Sequence, residues 1–164
     1  MRIVVFGWGN EARGDDALGP LLLRRIAALQ ARGVETVEDY QLQIEHGLDL
    51  VGFDAALFLD ADRKAPPPFV FREIRALASR APSTHALAPE AVLRVFAEVE
   101  RRAPPPAFVL GMRGERFELG EGLSATGAEA LAAAAGFCEG LLGFRSLGGW
   151  RRLTSQGPLK LGAS

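Results

Sequence analysis

Two acidic side chains, Asp15 and Asp16, stand side by side near the start of the chain, just beyond a glycine turn, Gly7-Trp8-Gly9-Asn10. A second acidic group, Asp60 and Asp62, closes the apolar run Ala55 to Leu59. The chain has only 2 histidines: His85 in STHALAPEAVL and His46 in QLQIEHGLDL. Two carboxylates brought close together need a cation, a proton or water between them. Two carboxylates and one imidazole make a divalent-metal set, hard oxygen donors joined to a borderline nitrogen. Asp16, Asp60 and His85 are the set favoured here. His46 is the rival imidazole, expected as a surface residue on a short helix. Each group also has a plain structural alternative. An aspartate at a helix start caps an orphan amide and favours the helix dipole, worth about 1 kcal/mol. Strand-end aspartates and loop histidines are commonly just solvated.

Other chemistries find less support. GWGNEA matches the relaxed dinucleotide pattern G-x-G-x-x-A after a first strand. In a dinucleotide site, however, the helix begins at the glycines and its first amides bind pyrophosphate. Here Gly14 intervenes and two carboxylates occupy the place where phosphate needs positive potential. There is no G-x-S-x-G elbow, H-E-x-x-H helix or P-loop. The single cysteine, Cys138, excludes an internal disulfide framework and a multi-cysteine zinc site, and reads as a small buried hydrophobe. Net charge is −1, which gives no nucleic-acid signature. The pairs Arg24-Arg25, Arg101-Arg102 and Arg151-Arg152 read as solvated. No run has the roughly 18 apolar residues of a membrane helix. The glycine turn after Phe6 interrupts any signal-peptide core. The expected compartment is therefore the cytoplasm.

To bring Asp16, Asp60 and His85 together, the chain needs strands that end at a common edge. Its pattern supplies them. Residues 2–6 read as a buried strand, and Asp15 to about Ala31 as a helix with Leu18, Leu21, Leu22, Ile26 and Leu29 at helical spacing. Strands follow at Val34 to Val37, at Ala55 to Leu59, at FVFREI and at Ala107 to Leu110. Helices are expected at Ile44 to Val51, at Pro89 to Arg102 and from about Thr126 to Leu142. Buried strands alternating with amphipathic helices imply an α/β sheet covered on both faces, a three-layer α/β/α arrangement. At 164 residues this is one domain, assigned to residues 1–144, with 145–164 expected as an irregular C-terminal tail. In open sheets of this kind, ligands bind beyond the carboxyl ends of the strands. Asp16 and Asp60 meet there if the first and third strands are neighbours.

Taken in order, these blocks resemble the NiFe-hydrogenase maturation endopeptidases. GWGNEARGDDALGP is similar to that family's opening glycine turn, asparagine and acid pair. LFLDADR is similar to its second block, a strand ending in Asp-Ala. STHALAPEAVL is similar to its Thr-His before a helix, and VLGMRGERFELGEGLS to its glycine-rich segment ending in Gly-Leu-Ser. The blocks span roughly residues 1 to 140. The resemblance implies a twisted, mostly parallel five-stranded sheet between helices. It also implies an endopeptidase that removes a short C-terminal extension from the hydrogenase large-subunit precursor after nickel insertion. On that reading nickel is carried by the substrate and is recognised by Asp16, Asp60 and His85, with Asp16 or Asp60 as the catalytic base. Asn10, Glu45 and His46 are then candidates for substrate contacts, and Asp15 is the helix cap, so Asp15→Asn would keep much of the activity. Monomer is the family's default state.

The chain departs from the family pattern at Glu11, Ala12, Arg13, Ala17 and Gly114, which flank the expected ligands without replacing them. YQLQIEHGLDL resembles a segment of the branch serving soluble NAD-reducing hydrogenases. Two other readings stand beside the protease. One is a nickel metallochaperone or sensor with the same three ligands, which must bind free nickel tightly. The other is a dinucleotide-binding enzyme.

Overall fold

The computed structural model describes residues 1–79 and 87–155. Its strands are β1 (Ile3–Trp8), β2 (Val34–Asp39), β3 (Ala55–Asp62), β4 (Phe69–Ile74) and β5 (Ala107–Arg113). Its α-helices are α1 (Leu18–Ala28), α2 (Pro89–Glu100), α3 (Ala125–Gly143) and α4 (Leu147–Ser155). Short 3-10 helices cover Gly14–Ala17 and Ile44–Leu50. Among the described residues the strands form one sheet in the order β2-β1-β3-β5-β4. All pairings are parallel except β4 against β5. The expected mostly parallel, five-stranded α/β sheet is thus observed.

The near-continuous apolar strands are explained by burial on both faces. On one face Ile3, Val5, Leu57, Leu59, Phe108 and Leu110 pack beneath α1, α3 and α4. On the other, Val4, Phe6, Ala56, Phe58 and Val109 pack against α2 and the 3-10 helix Ile44–Leu50. Pro89 stands at the first turn of α2, where its missing N–H leaves no hydrogen bond unmade. Ser124 caps α3 by accepting the Gly127 amide at 2.9 Å.

The expected irregular tail needs correction over Leu147–Ser155, which is helical. Trp150 is fully buried there. Its indole N–H donates to the carbonyls of Leu141 and Phe144 at 3.1 and 3.2 Å. Its ring meets Phe108 edge-on with centroids 5.2 Å apart. Arg151, expected as a solvated cation, instead forks onto the Glu73 carboxylate of β4 at 2.9–3.2 Å. The helix was hidden because Gly148 and Gly149 depress local propensity. A Cβ at Gly149 would stand 2.5 Å from the ring of the exposed Phe144.

Strand order creates one place where connections diverge. From β1 the chain passes through α1 to β2 on one side, whereas β3 leads on to β5 and β4 on the other. The carboxyl ends of β1 and β3 therefore flank a topological switch point, the position where such sheets bind ligands.

Candidate active site

Asp16 lies in the 3-10 helix that follows β1, and Asp60 near the carboxyl end of β3. β1 and β3 are adjacent and in register from Ile3↔Ala55 to Gly7↔Leu59, which meets the condition for bringing the two acids to one edge. Three glycines permit the close approach. A Cβ on Gly7 would stand 2.8 Å from Leu23 Cβ and from the Gly19 carbonyl. A Cβ on Gly19 would stand 2.6 Å from the Trp8 carbonyl and 3.0 Å from that of Leu59. Gly9 adopts φ +148°, and a Cβ there would overlap the Asp16 carbonyl at 1.9 Å. The glycine turn thus seats the acid-bearing segment on the strand ends.

Both carboxylates are half-buried. Asp16 Oδ2 accepts the Asn10 amide at 2.7 Å. Asn10 Oδ1 in turn accepts the Ala12 amide at 2.9 Å, the local backbone role its type suggests. Asp60 is pushed up to about 7, first by burial, then by the negative charge of Asp62, with Asp16 adding to it. The Ala61 amide and Arg72 act in the opposite direction. A carboxyl poised near neutrality can exchange a proton with a reacting group or release it to an incoming cation.

His85 lies outside the described residues. Among the described residues no three His, Cys, Asp or Glu side chains are grouped closely enough to hold a metal ion. His46, expected at the surface, is buried instead. Its Nδ1 accepts the Gln43 amide at 2.8 Å, and its Nε2 lies 3.1 Å from Asp39 Oδ2. With both nitrogens engaged, this ring fixes the turn after β2. Glu45 beside it is exposed. Asn10 lines a cavity of about 440 Å³ with Gly9, Glu11, Arg24, Asp39 and Tyr40. Arg24, also expected as a free cation, pairs with Glu11 and Glu38. Cys138 is buried as expected, and burial pushes its thiol up to about 12.

Asp15 departs most from expectation. It makes no cap bond to either helix it adjoins. It is fully buried, and its carboxylate accepts four hydrogen bonds from the loop 114–124: Glu115 N–H at 2.7 Å, Arg116 N–H at 3.0 Å, Ser124 N–H at 2.9 Å and Ser124 Oγ–H at 2.6 Å. Burial alone would raise its pKa, but these donors outweigh burial and hold it below the usual carboxylate value. The sequence marked the partner segment as glycine-rich and ending in Gly-Leu-Ser, but a pairing about 100 residues apart leaves no local trace.

The helix-start amides have partners within the chain. Gly14 N–H donates to Glu121 O, Asp15 N–H to Arg116 O and Asp16 N–H to Arg13 O. A pyrophosphate would find none of these amides free, which opposes the dinucleotide reading.

No family model matches the chain, and no curated protein matches it. Solved structures do. The hydrogenase maturating endopeptidase HybD from E. coli superposes with a TM-score of 0.69 at 24% identity, over 87% of this chain and 92% of that one. The chain has the fold of the hydrogenase maturation proteases. The NiFe hydrogenase maturation protease HycI from Thermococcus kodakarensis KOD1 gives a TM-score of 0.66 at 24% identity, over 87% of this chain and 93% of that one. A hydrogenase 2 maturation peptidase from a Thaumarchaeota archaeon gives 0.62 at 20% identity, over 87% and 99%. The maturation-protease fold accounts for nearly the whole of these neighbours' length.

Proposed function

We propose that the chain is an endopeptidase that removes a short C-terminal extension from a NiFe-hydrogenase large-subunit precursor once nickel is in place. The observation that supports this reading is the placement of Asp16 after β1 and Asp60 at the end of the adjacent β3, at the switch point of a maturation-protease fold, with Asp60 held near neutrality by burial and acidic neighbours. An acidic edge of this kind repels phosphate and attracts a cation. Nickel accepts carboxylate and imidazole donors. It enters as part of the substrate, contacted by Asp16, Asp60 and His85, and leaves no requirement for a metal resident in the protease.

In the proposed reaction a water attacks the scissile carbonyl. The carboxylate of Asp60 or Asp16 accepts its proton, and that proton passes to the departing amine as the C–N bond breaks. Substrate-borne nickel polarises the carbonyl or the water. Trapping of an acyl-enzyme would contradict this direct attack. Asn10 and exposed Glu45 border the path of the substrate, while His46 acts through the turn that it holds. The partner belongs to the class of nickel-loaded large-subunit precursors, with the soluble NAD-reducing branch as the specific candidate. Action on such a precursor would take place in the cytoplasm, by a monomer.

Intact-mass analysis of purified precursor, incubated with the protein with and without nickel, tests the reading. Nickel-dependent loss of one C-terminal peptide supports it. Tight binding of free nickel without cleavage would favour a metallochaperone.

A further inference from the structure

The loop 114–124 touches both acid-bearing segments. On one side it grips the turn that carries Asp16. Asp15, the preceding residue, places its buried carboxylate against three loop amides and the Ser124 hydroxyl. The backbone adds three more bonds: Asp15 N–H to Arg116 O at 2.6 Å, Gly14 N–H to Glu121 O at 3.0 Å and Gly120 N–H to Ala12 O at 2.7 Å. On the other side the loop holds the end of β3. Gly114 N–H donates to Asp62 O at 3.1 Å, and the Arg63 guanidinium lies 4.0 Å above the Phe117 ring.

The fit around Asp15 is built from glycine. A Cβ on Gly127 would stand 2.2 Å from Asp15 Oδ1, and one on Gly114 2.9 Å from Asp15 Cβ. Gly14 takes φ +52°, and a Cβ there would stand 2.5 Å from the Arg116 carbonyl. A buried carboxylate is costly unless its oxygens are satisfied, and here both are met by the same loop. A surface serine or asparagine would cap a helix without burying a charge. The arrangement is suited to fixing position.

We infer that Asp15 is a positioning residue: through the loop 114–124 it locks the Asp16 turn to the end of β3 and so sets the placement of Asp16 relative to Asp60. The inference deepens the peptidase reading and rests on that reading for its kinetic test. Asp16 reports its own placement through the Asn10 amide, which donates to Asp16 Oδ2.

Two variants separate positioning from simple stability. Asp15→Asn keeps the side-chain volume but turns an amide N–H₂ toward the loop donors. Ser124→Ala removes one hydroxyl donor to Asp15 together with the cap of α3, and leaves the Ser124 amide bond to Asp15 in place. For cleavage of nickel-loaded precursor, Asp15→Asn should lower kcat on the order of 100-fold with KM within about threefold, as expected when a reacting group is misplaced and binding is kept. Ser124→Ala should lie between that and wild type. Amide hydrogen exchange at Asn10 should quicken in both variants by more than that at Phe58 in the core of β3. Wild-type kcat in folded Asp15→Asn, or Asn10 exchange that changes no more than Phe58 exchange, would overturn the inference. Should wild-type protein cleave no precursor, the peptidase reading fails by itself, and Asn10 exchange still decides the positioning.

Discussion

Asp60 carries its proton to about pH 7, and this has a sign that can be measured. An aspartate in the unfolded chain titrates near 3.9. Between roughly pH 4 and 7 the folded state therefore holds more protons, and stability falls as pH rises through that window. Asp60→Asn removes the penalty. Its Tm should exceed that of wild type at pH 8, by an amount worth a few kcal/mol at most, and should match it near pH 4. Equal Tm values at pH 8 would show that Asp60 is not held protonated. Asp15 acts in the opposite direction. Its lowered pKa adds stability above the unfolded value, lost only as pH falls through its folded pKa. For function, Asp16→Ala should abolish cleavage of folded precursor, and normal cutting by that variant would remove Asp16 from the site. The acid pair was legible in the sequence as chemistry, but the partners that bury Asp15 were not. Which acid faces the crevice and which the interior depends on the loop 114–124, far away in the chain.

At the level of elements, β1, β3 and β5 were readable because each is an apolar run stopped by glycine or acid. α1 was readable through the helical spacing of its leucines, and α2 through the proline at its first turn. α4 was not, since two glycines and two arginines mask its turn and its anchor is a single side chain. Trp150→Ala should destabilise the protein by about 3–5 kcal/mol, as loss of a fully buried aromatic does. Urea unfolding would measure it, and a loss below about 1 kcal/mol would mean that α4 contributes little to the core. Arg151→Ala breaks an exposed, solvent-screened pair with Glu73 and should leave the urea midpoint close to that of wild type. The burial of His46 was likewise illegible. Its hydrogen bonds join β2 to a turn whose packing against Phe6 and α2 is tertiary.

Over the molecule as a whole, strand order places one crevice between β1 and β3, and the glycine turn lets the acidic segment settle onto it. The same turn resembles a dinucleotide loop, yet its amides are already bonded and its carboxylates oppose phosphate. Saturating NAD should accordingly leave the Tm unchanged, because a ligand that binds only the native state must raise it. A clear rise would revive the nucleotide reading. No helix among the described residues is long and apolar enough to cross a membrane. The decisive measurement is intact mass of a purified NiFe-hydrogenase large-subunit precursor after incubation with this protein, with and without nickel. Loss of a single C-terminal peptide only in the nickel-loaded sample is the predicted result. An uncut nickel-loaded precursor, or equal cutting without nickel, would contradict a protease that recognises its substrate through the metal.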